Sequence, residues 1–187
     1  MRPMELNSNN QYSESKKVNR DGHYDLDGAA NPFELPSNTE TKSQTLIAAV
    51  LSSYLADTYT LYLKTQKFHW NVTGPSFRLL HQMFEEQYKE LAESIDLIAE
   101  RIRALGHSAP GSFSEFQKLA SIKEDPELLT AENMIKQLLT GHEYLVRVAK
   151  SQYSMIDANK DPATLDMLTR QIYAHEKTAW MLKSFLN

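Results

Sequence analysis

The sequence predicts an all-α protein with four long helices. Only six glycines occur in 187 residues, which is too few for the many turns of a sheet protein. Apolar residues recur at alternating intervals of three and four residues, the period of one helix face. Two short breaks and one connection of more than twenty residues separate these periodic segments.

Composition excludes several classes of protein. The chain is 41% apolar and 24% charged and has no cysteine, so disulfide scaffolds, thiolate nucleophiles and thiolate zinc sites are ruled out. It has no run of 18 apolar residues and no secretory signal, so we expect a cytoplasmic protein that does not enter the membrane. Phosphate-binding glycine motifs are missing, and the formal charge of −4 is not typical of a nucleic-acid binder.

The first part of the chain differs from the rest. Residues 1–42 have few aliphatic side chains and no periodicity, and we expect a flexible tail there, followed by one domain over residues 43–187. The tail contains hard metal ligands at Asp21, His23, Asp25 and Asp27. This stretch lacks the Gly and Glu of a calcium-binding loop, which leaves a polar linker and a tail metal site as alternatives.

The first two helices form a predicted hairpin. The first runs over about residues 43–70 and stops at Gly74-Pro75. The second, over residues 76–105, has the clearest stripe of the chain and ends at Gly106.

The last two helices form a second hairpin after a long connection. A short helix is expected near residues 114–121, then long helices over about 130–158 and 161–186. Asp161 followed by Pro162 marks the start of the last one. Two short loops and one long crossover make the ferritin-like form of a four-helix bundle.

Four residues are unusual for a helical bundle that has no functional site. His69 ends the first helix, His81 lies on the apolar stripe of the second, and Asp96 and Glu100 share one face of that helix. Two imidazoles and two carboxylates suit Fe(II), Mn(II) or Zn(II). A buried histidine that is only hydrogen-bonded is the plainer alternative for His81 taken alone.

Helix geometry restricts how these residues could share an ion. His81 and Asp96 are 15 residues apart on one predicted helix, so about 22 Å of rise separates them. Ligands bind an ion at about 2 Å, so one site would need two chains, and a two-fold axis would create two equivalent sites. No His has Glu three residues before it, which argues against a di-iron centre inside one bundle.

Two segments of the chain resemble a known family. The run KFHWNVTGPSFRLLHQMFEEQYKELAESIDLIAERIRALG and the C-terminal TLDMLTRQIYAHEKTAWMLKSFL are similar to the Dps miniferritins, the DNA-binding proteins from starved cells. The resemblance implies a hollow dodecamer that stores ferric mineral, with ferroxidase sites at the two-fold axes. It also implies hydrogen peroxide as the oxidant of Fe(II) and room for two iron ions in each site.

The resemblance extends to individual residues. His69, His81, Asp96 and Glu100 match the metal ligands of the family, and they would be the catalytic residues of a ferroxidase. Glu85, one turn after His81, matches a further acidic ligand that is usually Asp. Trp70 matches a tryptophan beside the iron site, where it could intercept a one-electron hole.

DNA binding is the alternative function, as a nucleoid-compacting protein whose iron site is incidental. Affinity for DNA comes mainly from Lys and Arg, whereas twelve chains at −4 each would carry −48. Only four basic residues of each tail, within residues 1–20, favour this alternative.

Two further sets of residues have competing explanations. Asp157, Asp161 and Asp166 could line a three-fold pore, although Asp161 is equally explained as a helix cap. His175 lies on an apolar stripe without a matching family role, so we expect a hydrogen-bonded core residue.

Overall fold

Five α-helices and no strand make up the residues that the structure describes, 38–124 and 126–186. In this computed structural model the helices are α1 (Asn38–Asn71), α2 (Phe77–Ala104), α3 (Phe113–Leu119), α4 (Ala131–Ala158) and α5 (Pro162–Lys183). The predicted all-α bundle, with a short helix in its long crossover, is confirmed. Most of the expected tail, including Asp21, His23, Asp25 and Asp27, lies outside the described residues.

The helix ends differ from the expected ones mainly in α1. This helix begins at Asn38, five residues earlier than residue 43, the start that its apolar stripe predicts. Residues 38–42 are polar and carry no stripe, so periodicity had nothing to detect there. At the other end of the chain, α5 stops at Lys183 rather than at residue 186.

Two helical hairpins pack together around one core. The helix α1 packs against α2, and α4 against α5, while α1 also contacts α4 and the short α3. The core consists of aliphatic and aromatic side chains of the four long helices, among them Tyr54, Leu61, Phe68, Phe84, Ile98, Leu138 and Leu168. At Gly141 a Cβ atom would lie only 2.6 Å from the Leu61 Cδ1 atom, so glycine allows α4 to approach α1 closely.

A buried carboxylate on α1 holds the long crossover. The Oδ1 atom of Asp57 accepts hydrogen bonds from the backbone N–H groups of Ser121 and Ile122, each at 2.7 Å. Burial raises the pKa of Asp57, although these hydrogen bonds oppose the shift. The crossover is therefore fixed to the middle of α1.

The start of α5 is fixed by an ion pair with α2. Asp161 caps the helix by accepting from the Thr164 N–H at 3.0 Å, and Arg101 Nη2 donates to the same carboxylate at 2.7 Å. Burial opposes ionisation of Asp161, but the bonds from Arg101 and Thr164 outweigh it and lower its pKa. The capping explanation of Asp161 is confirmed.

One stretch of α1, Thr41–Asn71, is long and apolar enough to cross a membrane by length and composition alone. More than half of its most apolar window is buried inside the bundle. Its apolar character is accounted for by its place in the core.

Candidate metal centre

The hairpin between α1 and α2 brings two histidines together. The helix α1 ends at Asn71 and α2 starts at Phe77, so the chain reverses within a few residues. Gly74 supplies the positive φ, +107°, that this reversal needs and that other residues rarely adopt. His69 in the last turn of α1 consequently lies beside His81 in α2.

Each of the two imidazoles is held by the backbone of the other. His69 Nδ1 donates to the His81 carbonyl oxygen at 2.8 Å, and His81 Nδ1 donates to the His69 carbonyl oxygen at 2.8 Å. A carbonyl oxygen only accepts, so both rings carry their proton on Nδ1. The Nε2 lone pair of each ring remains available for a metal ion, in the orientation that a hydrogen bond to the other nitrogen imposes.

The two rings are stacked and enclosed by aromatic side chains. Their centroids lie 3.8 Å apart with planes 19° from parallel. The Phe77 ring lies 5.1 Å from His81, and the Tyr88 ring lies 5.3 Å from His69. His69 is buried and His81 half-buried. The pair is thus rigid, with both rings oriented before any ion binds.

Glu85 lies one helical turn beyond His81. Its carboxylate binds Lys89 Nζ at 2.5 Å, and this hydrogen bond and charge lower the pKa of Glu85. The nearby imidazoles of His69 and His81 lower it further, to a smaller extent. Glu85 is therefore ionised and close to the histidine pair, although its carboxylate forms an ion pair with Lys89 of the same helix.

Asp96 and Glu100 lie elsewhere on the same chain. Both are exposed on α2, which continues unbroken from Phe77 to Ala104. The rise from His81 to Asp96 is about 22 Å. Within residues 38–124 and 126–186, no three His, Cys, Asp or Glu side chains are placed to hold one ion. One chain brings His69 and His81 together, with Glu85 nearby, and leaves Asp96 and Glu100 apart from them.

Other residues singled out by the sequence have different surroundings. His175 is a buried, hydrogen-bonded core residue, as expected, and its partner is His142, which no pattern in the sequence indicated. Asp157 is exposed, and Asp166 forms an exposed ion pair with Arg170. Trp70 is 63% exposed.

Comparisons with known proteins place the chain in a family. The ferritin-like domain model matches residues 48–187. A DNA protection during starvation protein of Bacillus anthracis is 38% identical over 141 residues, which are 75% of this chain and 97% of that protein.

Solved structures agree with that match. Dps of Vibrio cholerae, described as a member of the ferritin-like diiron-carboxylate superfamily, has a TM-score of 0.78 and 30% identity over 84% of this chain and 100% of that one. Dps of Bacillus brevis has a TM-score of 0.76 and 37% identity over 78% of this chain and 98% of that one. The chain therefore belongs to the ferritin-like proteins and, among them, to the Dps miniferritins.

Proposed function

We propose that this protein oxidises Fe(II) with hydrogen peroxide at sites shared between two subunits and stores the ferric product within a dodecameric shell. Its family supports a role in iron storage and in protection against oxidative stress. The observation that carries the proposal is the reciprocal bonding of His69 and His81, which leaves two Nε2 atoms available side by side. We expect the protein to act in the cytoplasm.

The proposed site takes its carboxylates from a second chain. Asp96 and Glu100 are about 22 Å or more from His81 along an unbroken helix, too far to share its ion. Fifteen residues turn the α2 helix by about 60° beyond whole turns, so Asp96 points to nearly the same side of α2 as His81. Two α2 helices packed antiparallel would bring each His81 opposite the partner's Asp96. The expected two-fold axis crosses α2 halfway between His81 and Asp96, close to Tyr88 and Lys89.

The chemistry follows from the two kinds of ligand. The neutral imidazoles bind Fe(II) as substrate, and the carboxylates offset the extra positive charge when it becomes Fe(III). Hydrogen peroxide takes two electrons and two protons and gives two molecules of water, so two Fe(II) ions balance one peroxide. Oxidation by this route releases no hydroxyl radical, which is the protective part of the proposal.

Peroxide-driven oxidation of Fe(II), followed by Fe(III) absorbance under anaerobic conditions, tests the proposal. We expect wild-type protein to oxidise added Fe(II) and retain it in the assembled particle during size-exclusion chromatography. A variant with His81→Ala and Asp96→Ala should lose this rapid oxidation, whereas Glu132→Ala, at an exposed position in the first turn of α4, should keep it. An unchanged rate in the double variant would contradict the site.

A further inference from the structure

A basic cleft of about 470 Å³ lies between α1, α4 and the end of the long crossover. Lys64 of α1 and Lys123 of the crossover line it, together with Lys136 and Arg147 of α4. Among the described residues that line the cleft, Glu124 is the only acidic one. In a chain whose formal charge is −4, this local excess of positive charge favours an anionic ligand.

The floor of the cleft forms where α4 approaches α1. Gly141 lines the cleft, and a Cβ atom at this position would lie 2.6 Å from the Leu61 Cδ1 atom of α1. Beside this floor, the buried Asp57 carboxylate accepts two backbone N–H groups of the crossover. These bonds hold the crossover against α1 and so place Lys123, which follows them in the chain, at the cleft. The fold therefore positions the cleft before any ligand binds.

Two of the cationic groups are oriented by neutral neighbours. Lys64 Nζ donates to Gln137 Oε1 at 3.0 Å. The Arg147 guanidinium lies over the Tyr144 ring, 5.8 Å from its centroid. These two contacts orient the cations without cancelling their charge. A guanidinium can in addition donate two parallel hydrogen bonds to one phosphate group.

The spacing of the cations along α4 bears on the size of the anion. Lys136 and Arg147 are eleven residues apart, which is about 16 Å along the helix axis. A single phosphate ion cannot contact both, whereas a chain of two or three phosphate groups comes within reach of these long side chains. Lys136 also pairs with Glu132, but both side chains are exposed, and such a pair is weak enough for a phosphate to replace.

We propose that this cleft binds a small molecule that carries a chain of phosphate groups, such as tripolyphosphate or a nucleoside triphosphate. The volume of the cleft lies within the usual range of small-molecule sites and exceeds what one phosphate ion needs. The inference goes beyond the proposed iron chemistry, since none of the lining residues belongs to the candidate metal centre.

The cleft stays open when subunits pair as proposed above. The helix α2 contacts α1 and α5, and α4 contacts the same two helices. The helices α2 and α4 therefore lie at opposite corners of the bundle. The proposed two-fold contact is made by α2, so the cleft beside α4 faces away from it.

Calorimetric titration of the assembled, iron-free protein tests the inference. Tripolyphosphate and ATP are titrated separately in a low-salt buffer without phosphate, and iron is removed because both molecules chelate it. We expect both to bind, and binding to weaken as salt is added, because salt screens exposed charges. Equal affinities would assign recognition to the phosphate chain alone, and tighter binding of ATP would identify a nucleotide as the source of that chain.

Variants locate the binding at the cleft. Lys123→Gln combined with Arg147→Gln should weaken tripolyphosphate binding by about tenfold or more, because two charged donors are lost. Lys150→Gln combined with Arg170→Gln is the matched control, since it removes two exposed cations of α4 and α5 that do not line the cleft. The control should keep the wild-type affinity. Glu124→Gln should tighten binding, because it removes a negative charge from the cleft. Gel filtration and helical circular dichroism check that every variant assembles.

Three results would overturn the inference. The first is that neither tripolyphosphate nor ATP binds to wild-type protein at low salt. The second is an equal loss of affinity in the two double variants, because net charge rather than the cleft would then explain binding. The third comes from a duplex DNA titrated in the same way. If the Lys123 and Arg147 substitutions weaken DNA binding but leave tripolyphosphate binding unchanged, the cleft is a DNA contact instead.

Discussion

The imidazoles of His142 on α4 and His175 on α5 share one proton in the middle of the bundle. Their Nδ1 atoms lie 2.9 Å apart, so one ring donates and the other accepts. Both side chains are buried, and neither Nε2 atom has a partner among the described residues. Burial lowers the pKa of His142 well below its usual value, and it lowers the pKa of His175 to about 4.

This pair predicts a loss of stability in mild acid. An unfolded histidine takes up a proton near pH 6.5, whereas the folded pair resists protonation, so the unfolded chain binds more protons below that pH. The stability that the neutral pair contributes is complete above about pH 6.5 and falls as the pH drops toward 4. We expect His175 alone to account for about 3 kcal/mol at the acid end.

Urea unfolding between pH 4 and pH 7.5, followed by helical circular dichroism, measures this dependence. The matched variant carries His142→Leu and His175→Leu, which removes both titrating groups and keeps the side chains apolar. The difference between wild type and variant should shrink or reverse in favour of the variant as the pH falls. A difference that does not vary with pH would contradict the assignment to this pair.

The ion pair of Arg101 with Asp161 predicts a large effect of one substitution. Asp161→Ala removes the α5 cap and leaves Arg101, whose side chain is only 24% exposed, without its carboxylate. We expect a loss of about 3 kcal/mol in the free energy of unfolding. Asp166→Ala is the control, since its pair with Arg170 is exposed and should contribute less than about 1 kcal/mol. Equal losses in the two variants would contradict this account.

Substitutions of Glu85 and of Lys89 should have opposite effects on the affinity for Fe(II). If Glu85 is a ligand, Glu85→Gln weakens binding by about tenfold or more, which is the scale of losing a group that supports a metal site. Lys89→Gln releases the Glu85 carboxylate from its ion pair and should tighten binding. Anaerobic calorimetry with Fe(II) measures both affinities. No change in either variant would exclude Glu85 from the site.

Much of the architecture follows from the sequence because helices impose a local period. The stripe of α2 is regular enough to place its ends within one residue of Phe77 and Ala104. The same period places His81 and Asp96 at a known separation along the helix axis. Helical rise alone therefore implies that a site containing both residues needs a second chain.

Contacts between distant parts of the chain were beyond sequence reasoning. Asp57 and Ser121 are 64 residues apart, and only the packed crossover brings them together. His142 meets His175 because α4 and α5 are antiparallel with one particular register, which the stripes do not define. Tyr88 on α2 likewise contacts both Tyr62 and His69 on α1 only in the folded hairpin.

Complementation between two inactive variants tests the shared site most directly. His81→Ala and Asp96→Ala subunits are unfolded, mixed in equal amounts and reassembled, and peroxide-driven Fe(II) oxidation is measured against each variant reassembled alone. In a mixed two-fold pair, one site takes His81 from one chain and Asp96 from the other and is intact. If the site is shared, each variant alone is inactive, and the mixture has about a quarter of the wild-type activity, because half of the pairs are mixed and each has one intact site. A mixture as inactive as its parents would contradict it.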